Sequence, residues 1–110
     1  MINNGFKYLC ELGELTENKG KRFEIDDVDV AVFKINDKVF ALSNICPHQL
    51  QPKIYNGFLE DDIIYCPIHS WGFNVRTGKK TNGSGGLKSY ETKIDGNKVY
   101  VKVFKQNLNW

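Results

Sequence analysis

The fold class is indicated most clearly by residues 28–42, which read VDVAVFKINDKVFAL. Apolar residues alternate here with a period of two, and they fall on two faces: Val28, Val30 and Val32 on one, and Ala31, Phe33 and Ile35 on the other. A period of two is that of a β-strand. Asn36-Asp37-Lys38 is typical of a turn, and Val39 to Leu42 then predict a second strand.

The same signals recur on both sides of this stretch. Further strands are predicted at Phe23 and Ile25, at Ile63 to Tyr65, at Tyr90, Thr92 and Ile94, and at Val99, Val101 and Val103. Asp95-Gly96-Asn97 separates the last two strands, and an Asp-Gly pair favours a tight hairpin. A helical turn is expected only within Leu12 to Lys19. Short strands separated by turn residues predict an all-β fold, a β-sandwich or barrel.

The chain has 110 residues, which is enough for one domain and too few for two. Residues 44–86 interrupt the strand pattern, because they contain all three prolines and many glycines. We therefore expect a single domain over residues 1–110, in which a loop-rich subdomain at about 44–86 is inserted between the outer strands. Thr81 to Gly86 is expected to be a flexible surface loop.

Composition and charge exclude several classes of function. The net charge of +2 does not suggest a nucleic-acid-binding protein, which would usually show a basic stripe or a strongly basic isoelectric point. No run approaches the roughly 20 apolar residues of a membrane helix. The N-terminus does not resemble a secretory signal, so a cytoplasmic location is expected. Residues 44–90 carry five basic and three acidic side chains, a net +2, which either favours an acidic partner surface or is ordinary solvated charge.

One motif points to a metal centre. Cys46-Pro47-His48 is followed, after residues 49–65, by Cys66-Pro67-Ile68-His69, and these are the only two histidines in the chain. Two cysteines and two histidines suit either a tetrahedral zinc or a 2Fe–2S cluster. Zinc fingers usually pair like with like, whereas each pair here is mixed, which favours the cluster. Three cysteines in a short chain argue against a disulfide scaffold.

Other chemically able residues have simpler interpretations. Cys10 lies in the apolar run Tyr8-Leu9-Cys10, so a buried structural thiol is expected rather than a ligand. Asp61 and Asp62 are expected at a solvated turn rather than as a catalytic pair. Trp71 and Phe73 are expected to pack around the metal centre. No nucleophile–base pair or phosphate-binding glycine loop is found, so we do not expect an enzyme.

With its flanks, the motif resembles that of Rieske-type 2Fe–2S ferredoxins. The resemblance rests on Asn44-Ile45 before Cys46, on residues 57–60 between the two halves and on residues 71–78 after His69. It implies a β-sandwich-like base with a small cluster-binding subdomain. It also implies that His48 and His69 bind the outer iron, near the surface, and that Cys46 and Cys66 bind the inner iron.

The resemblance further implies a one-electron carrier, expected as a monomer, that transiently meets a flavoprotein reductase and a terminal oxidoreductase such as an oxygenase. The alternatives are the small subunit of an assimilatory nitrite reductase and, in another class, a structural zinc module. High-potential relatives carry extra cysteines and hydroxyl donors near the cluster. The matching positions here are Gln51, Ile68, Trp71 and Phe73, so a low reduction potential is expected.

Overall fold

A computed structural model of the chain describes residues 5–45, 53–67, 71–81 and 86–103. Within these ranges the fold is all-β, as predicted, with two single-turn 3₁₀ helices at Leu12–Glu14 and Ile54–Asn56. The described strands are β1 (Lys7–Glu11), β2 (Gly20–Ile25), β3 (Val28–Ile35), β4 (Lys38–Ser43), β5 (Phe58–Glu60), β6 (Ile63–Tyr65), β7 (Gly72–Asn74), β8 (Ser89–Asp95) and β9 (Lys98–Lys102). The predicted loop at Thr81 to Gly86 falls largely on residues 82–85, outside the described residues.

The strands form two antiparallel sheets. The larger sheet has six strands in the order β1-β9-β8-β4-β3-β2, and the smaller sheet has three in the order β5-β6-β7. Chain neighbours β2, β3 and β4 pair as successive hairpins, while β9 lies between β8 and the first strand, β1. The smaller sheet is formed by residues that lie between β4 and β8 in the chain, within the segment that the sequence predicted to be loop-rich.

Strand β3 is buried on both faces, and its two sets of side chains enter two different cores. Val28, Val30 and Val32 pack with residues of β1, β4, β8 and β9. Ala31, Phe33 and Ile35 pack instead with Ile64 and Phe73 of the smaller sheet and with Cys66, which directly follows β6. The alternation in the sequence is therefore confirmed, and it explains how one strand joins the base of the fold to the inserted segment.

Two-residue turns close three of the hairpins. Both turn residues have positive φ at Asp26-Asp27 (50° and 66°), Asn36-Asp37 (51° and 65°) and Asp61-Asp62 (50° and 66°). Left-handed backbone at both positions matches the right-handed twist of the flanking strands, and Asn and Asp tolerate it better than other residues with a Cβ atom. The turn interpretation of Asp61 and Asp62 is confirmed.

Close packing of the second 3₁₀ helix against β2 requires a glycine. A Cβ atom at Gly20 would collide with the carbonyl oxygen of Tyr55 and lie 2.6 Å from a ring carbon of Phe33. At Gly13 a Cβ atom would meet nothing within 4 Å. Gly20 therefore allows the 3₁₀ helix to rest directly on the strand.

We expect Gly20→Ala to lower the free energy of unfolding by about 1–3 kcal/mol, because backbone would have to move to admit the methyl group. Gly13→Ala is the matched control and should change it by less than about 0.5 kcal/mol. Urea denaturation followed by circular dichroism would measure both. Equal effects of the two substitutions would contradict the packing described here.

Candidate metal centre

Cys66 is the member of the predicted ligand set that lies among the described residues. Cys46, His48 and His69 belong to residues 46–52 and 68–70, outside the described ranges. Within those ranges no three metal-ligating side chains come together, and no helix is long and apolar enough to cross a membrane.

Strand β6 places Cys66 at its carboxyl end, with the side chain inside the protein. Along the strand Ile64 is fully buried, Tyr65 is partly exposed and Cys66 is 1% exposed, so the cysteine follows the inward alternation. It shares a core with Ala31, Phe33 and Ile35 of β3. The core thereby surrounds Cys66 with apolar groups, which limit the access of water.

Each half of the predicted motif lies in a segment whose two ends are joined by a backbone hydrogen bond. The Cys66 N–H donates to the Trp71 carbonyl oxygen at 2.8 Å, which brings the ends of segment 66–71 together. The Ile54 N–H donates to the Asn44 carbonyl oxygen at 3.3 Å, which does the same for segment 44–54. Both segments that carry the predicted ligands therefore start and finish on the folded framework.

The Lys80 side chain lies over the ring of Trp71, the last residue of segment 66–71. The Lys80 ammonium lies 3.4 Å from the centroid of the Trp71 ring. Lys80 is brought there by pairing with Phe73, which adds residues 79–80 to the edge of the smaller sheet. Phe73 itself is fully buried in the core, and Trp71 packs against that core. Their packing around the metal centre stays a prediction.

An open groove runs beside Cys66, and sequence reasoning did not find it. Phe58, Tyr65 and Pro67 lie along it with Cys66. The Phe58 side chain is 64% exposed, and its ring centroid is 6.4 Å from that of Tyr65. An isolated Phe in a three-residue strand has no periodic neighbours that would reveal its exposure. The groove presents apolar surface to solvent next to the candidate centre.

Cys10 lies in the other core. Cys10 is 3% exposed and packs in the core that contains Val30 and Val32 of β3. Cys66 packs in the core on the opposite face of β3, with Ala31 and Phe33. Burial raises the pKa of the Cys10 thiol, and the negative charge of Glu14 raises it further. A protonated thiol is a poor metal ligand. The expectation of a buried structural cysteine is confirmed.

Asp62 takes part in a local ion pair. Its carboxylate accepts a hydrogen bond from Arg76 Nε at 3.0 Å, and the guanidinium lies 5.2 Å from the Phe40 ring centroid. The pair links the β5–β6 turn to the segment that follows β7. Both side chains are partly exposed to solvent, so the pair contributes little to stability.

The donor set fits iron. Thiolate is the ligand that holds iron–sulfur clusters, and imidazole replaces it on one iron in the His-ligated type. Cys66 offers such a sulfur at a strand end, inside an apolar shell and within a segment closed by a hydrogen bond. The described part of the site therefore supplies one buried thiol of the kind that a bound cluster needs.

Comparison with known proteins agrees with this chemistry. A family model described as "Rieske [2Fe-2S] domain" matches residues 5–91. The biphenyl dioxygenase ferredoxin subunit of Pseudomonas sp. (strain KKS102) is 30% identical over 106 residues, covering 94% of this chain and 97% of that protein.

Two solved structures share the fold. The ferredoxin of carbazole 1,9a-dioxygenase from Nocardioides aromaticivorans IC177 has a TM-score of 0.82 at 27% identity, covering 89% of this chain and 97% of that one. A protein described as an NADH-dependent nitrite reductase small subunit from Mycobacterium tuberculosis has a TM-score of 0.84 at 19% identity, covering 92% and 96%. The second likeness concerns the fold alone.

We expect Lys80→Met to lower the free energy of unfolding by about 0.5–2 kcal/mol, because it removes the cation from the Trp71 ring. Lys79→Met removes the same charge from an exposed neighbour and should have little effect. Thermal or urea unfolding of both variants measures the difference. Equal losses would mean that net charge, and not the contact with Trp71, is responsible.

Proposed function

Because the chain belongs to the Rieske [2Fe-2S] domain family, we propose that it carries single electrons from a flavoprotein reductase to a terminal oxidoreductase such as an oxygenase. Its cofactor is a 2Fe–2S cluster, which accepts and releases one electron. The chain is an electron carrier and not itself an enzyme. The single observation that carries this conclusion is the family match, which spans both halves of the motif.

The proposed ligands are Cys46 and Cys66 on one iron and His48 and His69 on the other. Two ferric ions, two sulfides and two thiolates sum to zero charge, since neutral imidazole adds none. Reduction takes this set to −1, which is easier than the step from −2 to −3 of an all-cysteine cluster. We assign the ligands to a subdomain at about 44–86 within a single domain over 1–110.

The reductase and oxygenase partners are proposed from the relatives. One relative, which this chain matches nearly end to end, is named as the ferredoxin subunit of biphenyl dioxygenase. That relative therefore belongs to an oxygenase system. The apolar groove at Phe58 offers a partner a surface beside Cys66. We further propose a cytoplasmic monomer whose partner contacts are transient.

Two other functions receive less support. The nitrite reductase small subunit shares only the fold, at 19% identity, whereas the ferredoxin relative is 30% identical over most of the chain. A structural zinc module is disfavoured because the matching family is defined by its 2Fe–2S domain. Tight copurification with a large flavin- or haem-bearing chain would favour the small subunit.

Substituting the two buried cysteines separately tests the cofactor assignment. We expect Cys66→Ser to lose most of the iron and the visible absorption, because hydroxyl oxygen is a poor substitute for the soft thiolate. Cys10→Ala is the matched control, since Cys10 is equally buried but lies in the other core. It should keep both the iron and the spectrum.

The measurements are iron and sulfide content, visible absorption, and electron paramagnetic resonance of protein purified without air and then reduced. Histidine ligation should give a lower average g-value than an all-cysteine cluster. Wild-type protein that is colourless and contains zinc would overturn the proposal. Iron retained in Cys66→Ser but lost in Cys10→Ala would overturn the ligand assignment.

The reduction potential is expected near the low end of the span for His-ligated clusters, about −150 mV. Neither Trp71 nor Phe73 carries a hydroxyl group that could donate to a cluster sulfur, so the added electron receives little stabilisation from them. A redox titration followed by electron paramagnetic resonance measures the potential. A midpoint above about +100 mV would contradict this account of the donors.

A further inference from the structure

Asn44 is a buried polar residue immediately before the first ligand-bearing segment. Strand β4 ends at Ser43, and the predicted ligand Cys46 follows two residues after Asn44. The Asn44 side chain is fully buried. A buried amide is costly unless its donors and acceptors are satisfied, so its partners indicate what it does.

The Asn44 side chain joins three separate parts of the chain. Its Nδ2 donates to Asp29 Oδ1 at 3.0 Å, which ties it to β3. Its Oδ1 accepts from the Tyr55 N–H at 2.7 Å, which ties it to the 3₁₀ helix at the far end of the segment. The main chain repeats both links, because the Asn44 N–H donates to the Asp29 carbonyl oxygen and the Asn44 carbonyl oxygen accepts from Ile54.

Asp29 is itself held from the solvent side. Arg22 Nε and Nη2 donate to its two carboxylate oxygens at 3.0 and 2.8 Å, and 15% of the Asp29 side chain is exposed. The two bonds from Arg22 fix the orientation of the carboxylate. Arg22, Asp29 and Asn44 therefore form a chain of contacts from the surface of β2 to the start of the segment.

The amide group suits this place because one end donates while the other accepts. Aspartate at position 44 would keep an acceptor for the Tyr55 N–H but would face the Asp29 carboxylate with no donor. Alanine would leave both partners without the side-chain bond. The direction of each hydrogen bond is thus set by the residue types on β3 and at position 44.

We propose that Asn44 is a positioning residue for Cys46 and His48: it holds together the two ends of the segment that carries them. This inference rests on the proposed function, because it assumes that the segment binds the cluster. With the ends fixed, fewer arrangements of the segment compete with the one that places both ligands, so bound iron is retained.

A donor–acceptor exchange tests the inference. Asn44→Asp alone sets two carboxylates against each other, and Asp29→Asn alone keeps an acceptor for Asn44. Their double variant restores a donor at 29 and an acceptor at 44. Val101→Ala, in the core of the base and away from the smaller sheet, serves as a control for lost stability alone.

The measured quantities are the rate at which the folded, cluster-loaded protein loses iron to a chelator, the electron paramagnetic resonance spectrum and the midpoint potential. Asn44→Asp should lose iron at least about tenfold faster than Val101→Ala, even where their free energies of unfolding match. Its g-values should also shift. The double variant should recover most of the wild-type rate and spectrum.

The outcomes distinguish a failure of the positioning role of Asn44 from a failure of the proposed function on which it rests. Wild-type protein without iron would overturn the proposed function itself. Wild-type protein with its cluster, together with an Asn44→Asp variant that matches Val101→Ala in rate and spectrum, would overturn the positioning role alone. A double variant no better than Asn44→Asp would also overturn it. Should Asn44→Asp fail to fold, Asn44→Ser, which keeps a smaller donor and acceptor, takes its place in the same comparison.

Discussion

Strand β3 is packed between two cores, and the arrangement of the rest of the protein depends on this. One set of its side chains closes the base, and the alternate set supports the smaller sheet that carries Cys66. A shift of one residue in its register would exchange the two sets. The strand also carries Asp29, so Asn44, at the start of the segment that contains the predicted ligand Cys46, is anchored on the same element.

The burial of Cys66 and the hydrogen bonds that close the two segments suit a protein that transfers electrons. Cys66 is buried in the same core as Ile64, Phe33 and Phe73, so its side chain is held by the packing of that core. In each of the two segments that carry the predicted ligands, a hydrogen bond joins the first residue to the last. A carrier must change charge without rearranging, and a preorganised, largely apolar surround serves that need.

Much of the fold could be predicted because its long strands carry a strict period of two. Strands β3, β8 and β9 are long enough for alternation to be read directly. Strands β5 and β7 have three residues each, too few to show a period, and were inferred only as part of a loop-rich segment. The predicted helical turn within Leu12 to Lys19 is limited to a 3₁₀ turn at Leu12–Glu14.

The chemistry of the candidate site could be predicted from the sequence, but the contacts that hold the site in place could not. The types and spacing of the cysteines and histidines indicated a cluster, and the flanks of the motif indicated the family. The contacts of Asn44 join residues that are 15 and 11 positions away, and no local pattern marks them. The stacking of Lys80 on Trp71 likewise depends on pairing at the edge of the smaller sheet.

The place of β9 in the larger sheet has a consequence for biosynthesis. Within the described residues, β1 is hydrogen-bonded to no strand except β9, which follows all the other described strands in the chain. Strand β1 therefore stays unpaired while the β2–β3–β4 hairpins form from contacts that are local in the sequence. During translation the growing chain depends on β9 to complete the sheet, and loss of that strand would leave β1 without its partner as well.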